Sequence, residues 1–185
     1  GAPMAVHLQR AGHHVTVYNR TAAKATQWVQ THGGQCASTP REAAQSADIA
    51  ITCVGNDDDL REVCTGPQGA FHSLAPGAVI VDHTTTSAEV ARELAQAARE
   101  QGLHFIDAPV SGGNLGALNG VLTIMCGGDA DAFARIEPVI AAYARAVTHL
   151  GDSGAGQLAK MVNQIAVAGL LQGLAEALAF GQKAG

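Results

Sequence analysis

Short apolar runs of strand length alternate along this chain with longer stretches of helical character, and that alternation narrows the fold more than any other feature. The runs are Val15 to Tyr18, Ile49 to Val54, Ala78 to Val81 and Leu103 to Asp107. They are too uniformly apolar for strands with one wet face, so they read as buried on both faces, as in a parallel sheet covered by helices. Between them lie helix starts with recognisable caps. Thr21 precedes a stretch to Thr31, Thr39 precedes Pro40-Arg41-Glu42, and Ser87 precedes a stretch to Gln101 with Glu89 in its first turn. The resulting order, β-α-β-α, indicates a doubly wound α/β domain. Past Asp107, Val121 to Cys126 and Ala146 to Leu150 read as two further strands separated by a helix from Asp129 to about Tyr143. The sheet is expected to continue through them, in the same direction or reversed.

From Gly154 no turn signal breaks a helical stretch that runs to about Gln182, roughly 40 Å at the usual rise per residue. Gly169, Gly173 and Gly181 each cost it about 1 kcal/mol against alanine, which predicts close packing on another helix. A long helix after a completed sheet reads as the start of a second, all-helical domain. The boundary is placed at 152/153.

Composition excludes several classes. Hydrophobic residues make up 47% and charged residues 15% of the 185, enough apolar content for a sizeable core and too little charge for a disordered chain. Eleven basic against 16 acidic residues, a net charge of −5, give no basic stripe for a nucleic-acid backbone. The longest uncharged stretch, Met161 to Ala175, contains Asn163, Gln164 and Gln172 and falls short of the ~20 apolar residues of a membrane span, so no membrane is expected. Cys36, Cys53, Cys64 and Cys126 form no C-x-x-C pair and sit in mostly apolar stretches, which fits free thiols in a reducing cytoplasm. Eight histidines show no metal-ligand spacing, and no metal site is expected. Asp57-Asp58-Asp59 reads as a solvated helix start, and Trp28 as packing.

Four segments carry chemistry. Gly1-Ala2-Pro3-Met4 followed by a helix and a strand reads as the second part of a dinucleotide-binding β-α-β unit. Gly1 is then its last glycine, close to the helix–sheet contact, and Met4 faces the same site. The first strand and earlier glycines would lie before residue 1, so a truncated chain is expected. The plainer alternative is an amphipathic helix after a glycine. At the next strand end, where an NAD site carries an acidic residue, stand Asn19, Arg20 and Thr21, with Lys24 one turn on. A cation and small donors suit a 2′-phosphate, which favours NADP while leaving NAD open; the alternative is a solvated turn. Ser111-Gly112-Gly113 exposes backbone N–H groups beside a hydroxyl, a set suited to a carboxylate, or else a tight turn. Lys160 and Asn163, three apart on one helical face, follow a glycine-rich start. Lys160 among Leu158, Met161 and Val162 is either a desolvated acid/base or a lysine whose stem covers apolar surface while its ammonium reaches water.

Together these segments resemble the β-hydroxyacid dehydrogenase family, which includes 3-hydroxyisobutyrate dehydrogenase and the tartronate, glyoxylate and succinic semialdehyde reductases. The family patterns D-x-P-V-S-G-G-x-x-G-A and G-x-G-x-x-x-K-x-x-N match Asp107 to Ala117 and Gly154 to Asn163, and Asp82 to Ser87 is similar to D-x-S-T-x-S. The resemblance implies a Rossmann-type fold followed by an all-helical domain. It gives Lys160 the role of catalytic acid/base, Ser111, Gly112, Gly113 and Asn163 the substrate, and Thr85 a place near nicotinamide and substrate. Val54, Gly55 and Asn56 take the loop that passes the cofactor. Gln164 stands where many members have a second asparagine. The implied activity is NADP-dependent interconversion of a small β-hydroxy acid and its aldehyde or semialdehyde acid, in a homodimer or homotetramer. The alternatives are a non-catalytic NADP-binding interaction module and an imine reductase on the same scaffold.

Overall fold

The computed structural model describes residues 1–185. Eight helices and eight strands alternate: α1 (Ala2–Arg10), β1 (Thr16–Val17), α2 (Ala22–His32), β2 (Gln35–Cys36), α3 (Pro40–Ala44), β3 (Ile49–Thr52), α4 (Asp57–Thr65) and β4 (Val79–Asp82) come first. Then follow α5 (Ala88–Glu100), β5 (His104–Asp107), β6 (Val110–Ser111), α6 (Gly113–Asn119), β7 (Leu122–Cys126), α7 (Ala130–Ile140), β8 (Ala144–His149) and α8 (Ala155–Ala184). The strands pair in three ladders. β1 and β2 are parallel, β3-β4-β5 are parallel in that order, and β7 runs antiparallel to β6 and parallel to β8. An antiparallel bridge between Asp107 and Gly127 ties β5 to the end of β7. The strand direction therefore reverses once, at β7, which runs opposite to both β5 and β6. The two-residue strands β2 and β6 are too short to leave a hydrophobic period in the sequence.

Alternation along β4 and β5 divides the core. Ile80 and Phe105 pack with Leu60, Phe71, Val90 and Leu94 on one face. Val79, Val81 and Ile106 pack with Met4, Leu8, Leu122, Ile124, Ile136 and Tyr143 on the other. β4 is buried throughout, as its sequence Val-Ile-Val-Asp predicts for a central strand. The caps of α3 and α5 form as expected, Thr39 accepting from Glu42 N and Ser87 from Val90 N. At α2 the Thr21 hydroxyl makes no cap; Asn19 Oδ1 instead accepts from Thr21 N at 2.9 Å. α7 ends at Ile140, near Pro138, and a 3₁₀ turn over Ala141–Tyr143 completes the expected stretch.

α8 is 30 residues, about 45 Å long. Its first turn is embedded, with Gly156, Gln157 and Lys160 buried, and beyond Asn163 every side chain is exposed. A Cβ at Gly169, Gly173 or Gly181 would meet nothing within 4 Å, so the packing expected of these glycines does not occur within this chain. By length and composition alone α8 is long and apolar enough to cross a membrane. The cysteines also divide: Cys64 and Cys126 are buried, whereas Cys36 and Cys53 are exposed and do not act as small core hydrophobes. Trp28 is buried and donates to Ala2 O at 3.2 Å.

Candidate active site

A cleft of about 430 Å³ opens where α1, β6, α6 and α8 meet. It is lined by Gly1, Met4, Ser111, Gly112, Gly113, Lys160 and Asn163, seven of the residues singled out in the sequence, together with Cys53 and Gln164. Lys160 is 7% exposed, its stem buried and its side chain lining the cleft. It enters no ion pair, and burial holds its ammonium below the usual lysine range. Asn163 follows on the same face of α8, half-buried, with its Nδ2 donating to Gln164 Oε1 at 3.4 Å. Gly112 and Gly113 have φ of +130° and +61°, conformations an L side chain rarely adopts, and they turn the chain from β6 into α6 beneath Lys160's helix. A Cβ at Gly1 would sit 3.6 Å from Cys53 Cβ, ordinary contact, so the helix–sheet approach here does not demand a glycine.

Two buried residues that sequence reasoning left without a role fix Lys160 in place. Asp107, at the end of β5, accepts from Gly154 N at 2.7 Å through Oδ1 and from Gln157 N at 2.9 Å through Oδ2, satisfying the open N–H groups at the start of α8. Burial raises its carboxyl, and the same N–H donors pull it back down. Gly156 passes so close that a Cβ would lie 2.7 Å from Asp107 O and 2.8 Å from its Oδ2. Gln157, fully buried, donates from Nε2 to Thr84 O at 2.8 Å and accepts from Thr86 N at 3.1 Å. It thereby clamps the peptide on both sides of exposed Thr85, one helical turn before Lys160. A polar residue three before Lys160 in an apolar turn is the one sequence signal that could have found it.

A second group of candidates gathers at the ends of β1 and β3, outside the cleft. Asn19, Arg20, Thr21 and Lys24 are exposed. Arg20 Nη1 pairs with Asp59 Oδ1 at 3.0 Å. Asn56 caps α4, its Oδ1 accepting from Asp59 N at 2.8 Å, and exposed Gly55 precedes it. The acidic run is not simply solvated, because Asp57 accepts from Ser87 N and from its hydroxyl, locking α4 to the cap of α5. Half-buried Val54 donates its N–H to Thr84 Oγ1 at 3.0 Å. Thr84 in turn donates its hydroxyl to Asp82 Oδ1 at 2.6 Å, and Thr52 donates to the same oxygen at 2.8 Å. Asp82 is fully buried with Oδ2 unpartnered, and burial pushes its carboxyl up to about 6. His83 beside it is held neutral, its pKa lowered to about 4 by burial, between Ala108 O and the Tyr143 hydroxyl. No three His, Cys, Asp or Glu side chains converge as a metal site requires.

A family described as the NAD binding domain of 6-phosphogluconate dehydrogenase matches residues 1–151. The chain belongs to that family. Over all 185 residues this NAD-binding chain is 59% identical to an uncharacterized oxidoreductase of Shewanella frigidimarina, 64% of whose length it spans. The solved 3-hydroxyisobutyrate dehydrogenase of Mycobacterium tuberculosis, with L-serine, matches 98% of the chain at 33% identity with a TM-score of 0.92, the chain covering 61% of it. An imine reductase of Myxococcus stipitatus in complex with NADP+ matches 96% at 26% identity with a TM-score of 0.84, the chain covering 60% of it. The NAD-binding chain thus spans less than two thirds of each of these proteins. The expected Rossmann-type architecture followed by a long helix is that of the 3-hydroxyisobutyrate dehydrogenase structure.

The donor set fits a dinucleotide. In an open parallel sheet such ligands lie outside the carboxyl ends of the strands. Asn19 to Thr21 follow β1, Val54 to Asn56 follow β3, Thr84 to Thr86 follow β4, and Ser111 to Gly113 lie just past β5. One edge of the sheet therefore presents a cation, loop amides and a buried lysine in succession.

Proposed function

We propose that the protein containing this chain is an oxidoreductase that interconverts a small β-hydroxy acid and its aldehyde or semialdehyde acid, with NADPH favoured over NADH. The observation that carries this reading is a buried, unpaired lysine beside Ser111, Gly112, Gly113 and Asn163 in one cleft. When bound, the nicotinamide exchanges hydride with the substrate carbon. Ser111 Oγ–H and the N–H groups of Gly112 and Gly113 bind the substrate carboxylate. The Asn163 amide orients the oxygen that changes bond order, and Gln164 takes the adjoining place. In reduction Lys160 gives its proton to that oxygen; in oxidation neutral Lys160 takes the hydroxyl proton, a role its lowered pKa favours. Asp107 and Gln157 are positioning residues that set where Nζ sits. Arg20, with Asn19, Thr21 and Lys24, receives the 2′-phosphate, while Val54, Gly55 and Asn56 flank the cofactor and Thr85 lies near its reactive ring.

The test is hydride exchange by the full-length protein with NADPH or NADP+ against β-hydroxy acids, L-serine among them, their aldehyde acids and cyclic imines. Turnover confined to the carboxylate-bearing series supports the reading. Turnover of cyclic imines alone would assign the imine reductase alternative, which the likeness to the Myxococcus stipitatus protein keeps open. Nucleotide binding without turnover of any member would assign the interaction-module alternative.

A further inference from the structure

Arg20 already has an anionic partner. Its Nη1 donates to Asp59 Oδ1 at 3.0 Å, across 39 residues of sequence. The side chains are 83% and 29% exposed respectively, so the guanidinium is the mobile partner and the carboxylate the fixed one. Asp59 sits in the first turn of α4, held through its backbone, with its carboxylate over the Gly55 peptide. Its N–H is held by Asn56 Oδ1 at 2.8 Å, and its Oδ2 lies so close over Gly55 that a Cβ there would stand 2.7 Å from it. The pair therefore bridges the ends of β1 and β3, at the strand ends where a dinucleotide is bound in such a sheet.

Two consequences follow, and they oppose each other. A 2′-phosphate on Arg20 would share that one guanidinium with the Asp59 carboxylate, placing two anions on a single cation. A plain ribose, in contrast, would find in Asp59 the carboxylate acceptor that the Tyr18-Asn19-Arg20 end of β1 lacks. We propose that Asp59 is a cofactor-selecting residue that works against Arg20, weakening the hold on the phosphorylated dinucleotide and sustaining the unphosphorylated one. This rests on the reading of Arg20 as the 2′-phosphate group's partner. The ion pair is exposed on the Arg20 side and contributes little to the fold, so neutralising Asp59 perturbs binding without unfolding the protein.

The experiment is a direct binding titration of NADPH and of NADH to the full-length protein, followed by nucleotide fluorescence, for wild type and Asp59→Asn. The asparagine keeps the size and leaves the Asn56 cap on the backbone intact. The ratio of the NADH to the NADPH dissociation constant is expected to rise about tenfold, with NADPH tighter and NADH weaker, and the NADPH gain to shrink as salt is added. Asp59→Ser, also neutral, is expected to give the same direction and replaces the asparagine variant if that one fails to fold. A ratio unchanged within twofold, with both nucleotides still binding, overturns the selecting role and leaves the NADP reading standing. Failure of the wild type to bind either nucleotide overturns both.

Discussion

Replacing Asp82 by asparagine should change how the stability of the protein depends on pH. Asp82 lies fully buried beneath the Val54 and Thr84 loops, and burial raises its carboxyl from 3.8 to about 6 against the pull of hydrogen bonds from Thr84 and Thr52. Because the folded value lies above the unfolded one, the folded state holds more protons between them. The contribution of Asp82 to stability is therefore greatest below about pH 4, falls as pH rises to about 6, and stays lowered above. The interval corresponds to about 3 kcal/mol. Asparagine keeps an acceptor at the Oδ1 position for Thr52 and Thr84 and puts an amide N–H₂ where Oδ2 has no partner. That unpartnered amide costs about 1–3 kcal/mol at every pH. That cost is independent of pH, so the variant should gain about 3 kcal/mol relative to wild type between pH 4 and pH 7. Urea unfolding followed by circular dichroism across that range measures it. A difference that stays flat would show that Asp82 is ionised in the fold without penalty, and the reasoning from its burial would be wrong.

The start of α8 should resist a methyl group that its far end accepts. Gly156→Ala, driven against Asp107, should destabilise the protein by about 2 kcal/mol, a fall in Tm of about 4–8 °C, whereas Gly173→Ala, in open space, should stabilise the isolated helix region by up to about 1 kcal/mol; equal effects would contradict the geometry. Ser111→Ala should raise KM for the carboxylate substrate more than it lowers kcat, because the contact is made in both ground and transition states; steady-state kinetics would show the reverse if Ser111 took part in proton transfer. The exposed row Leu170, Leu171, Leu174 and Leu178 should be covered in the whole protein by a helical domain and a second copy, giving a dimer or tetramer, while residues 1–185 alone should associate non-specifically. Light scattering that found a well-behaved monomer of residues 1–185 would count against this.

What the sequence disclosed depended on how local each signal was. The buried strands around β4 and the caps Thr39 and Ser87 are written in a few adjacent residues, and the structure has them where the sequence puts them. The cleft was legible because Ser111, Gly112, Gly113, Lys160 and Asn163 fall in two compact motifs that resemble a known family. Arrangements made across distant segments were not legible. Asp107 reaching the start of α8, Gln157 clamping the Thr85 peptide across more than 70 residues, and Arg20 pairing with Asp59 depend on where the sheet brings strand ends together. No periodicity encodes them. The short strands β2 and β6 were missed for a related reason, since two residues hold no period and only their partners define them. The glycines of α8 misled, because a helix interior glycine signals close packing only where a neighbour is present.

The central claim, that Lys160 moves the proton, is tested most directly by measuring NADPH binding and turnover side by side in the full-length Lys160→Ala and Lys160→Arg variants. Lys160 points into the cleft, not toward the β1 and β3 ends, so both variants should bind NADPH nearly as the wild type does. Turnover should fall about 10²–10⁴-fold in the alanine variant, the usual share of a positioned acid or base. The arginine variant should be almost as slow, because a guanidinium keeps the charge but does not release its proton near neutral pH. Near-normal turnover in Lys160→Ala would place the proton donor elsewhere and contradict the account.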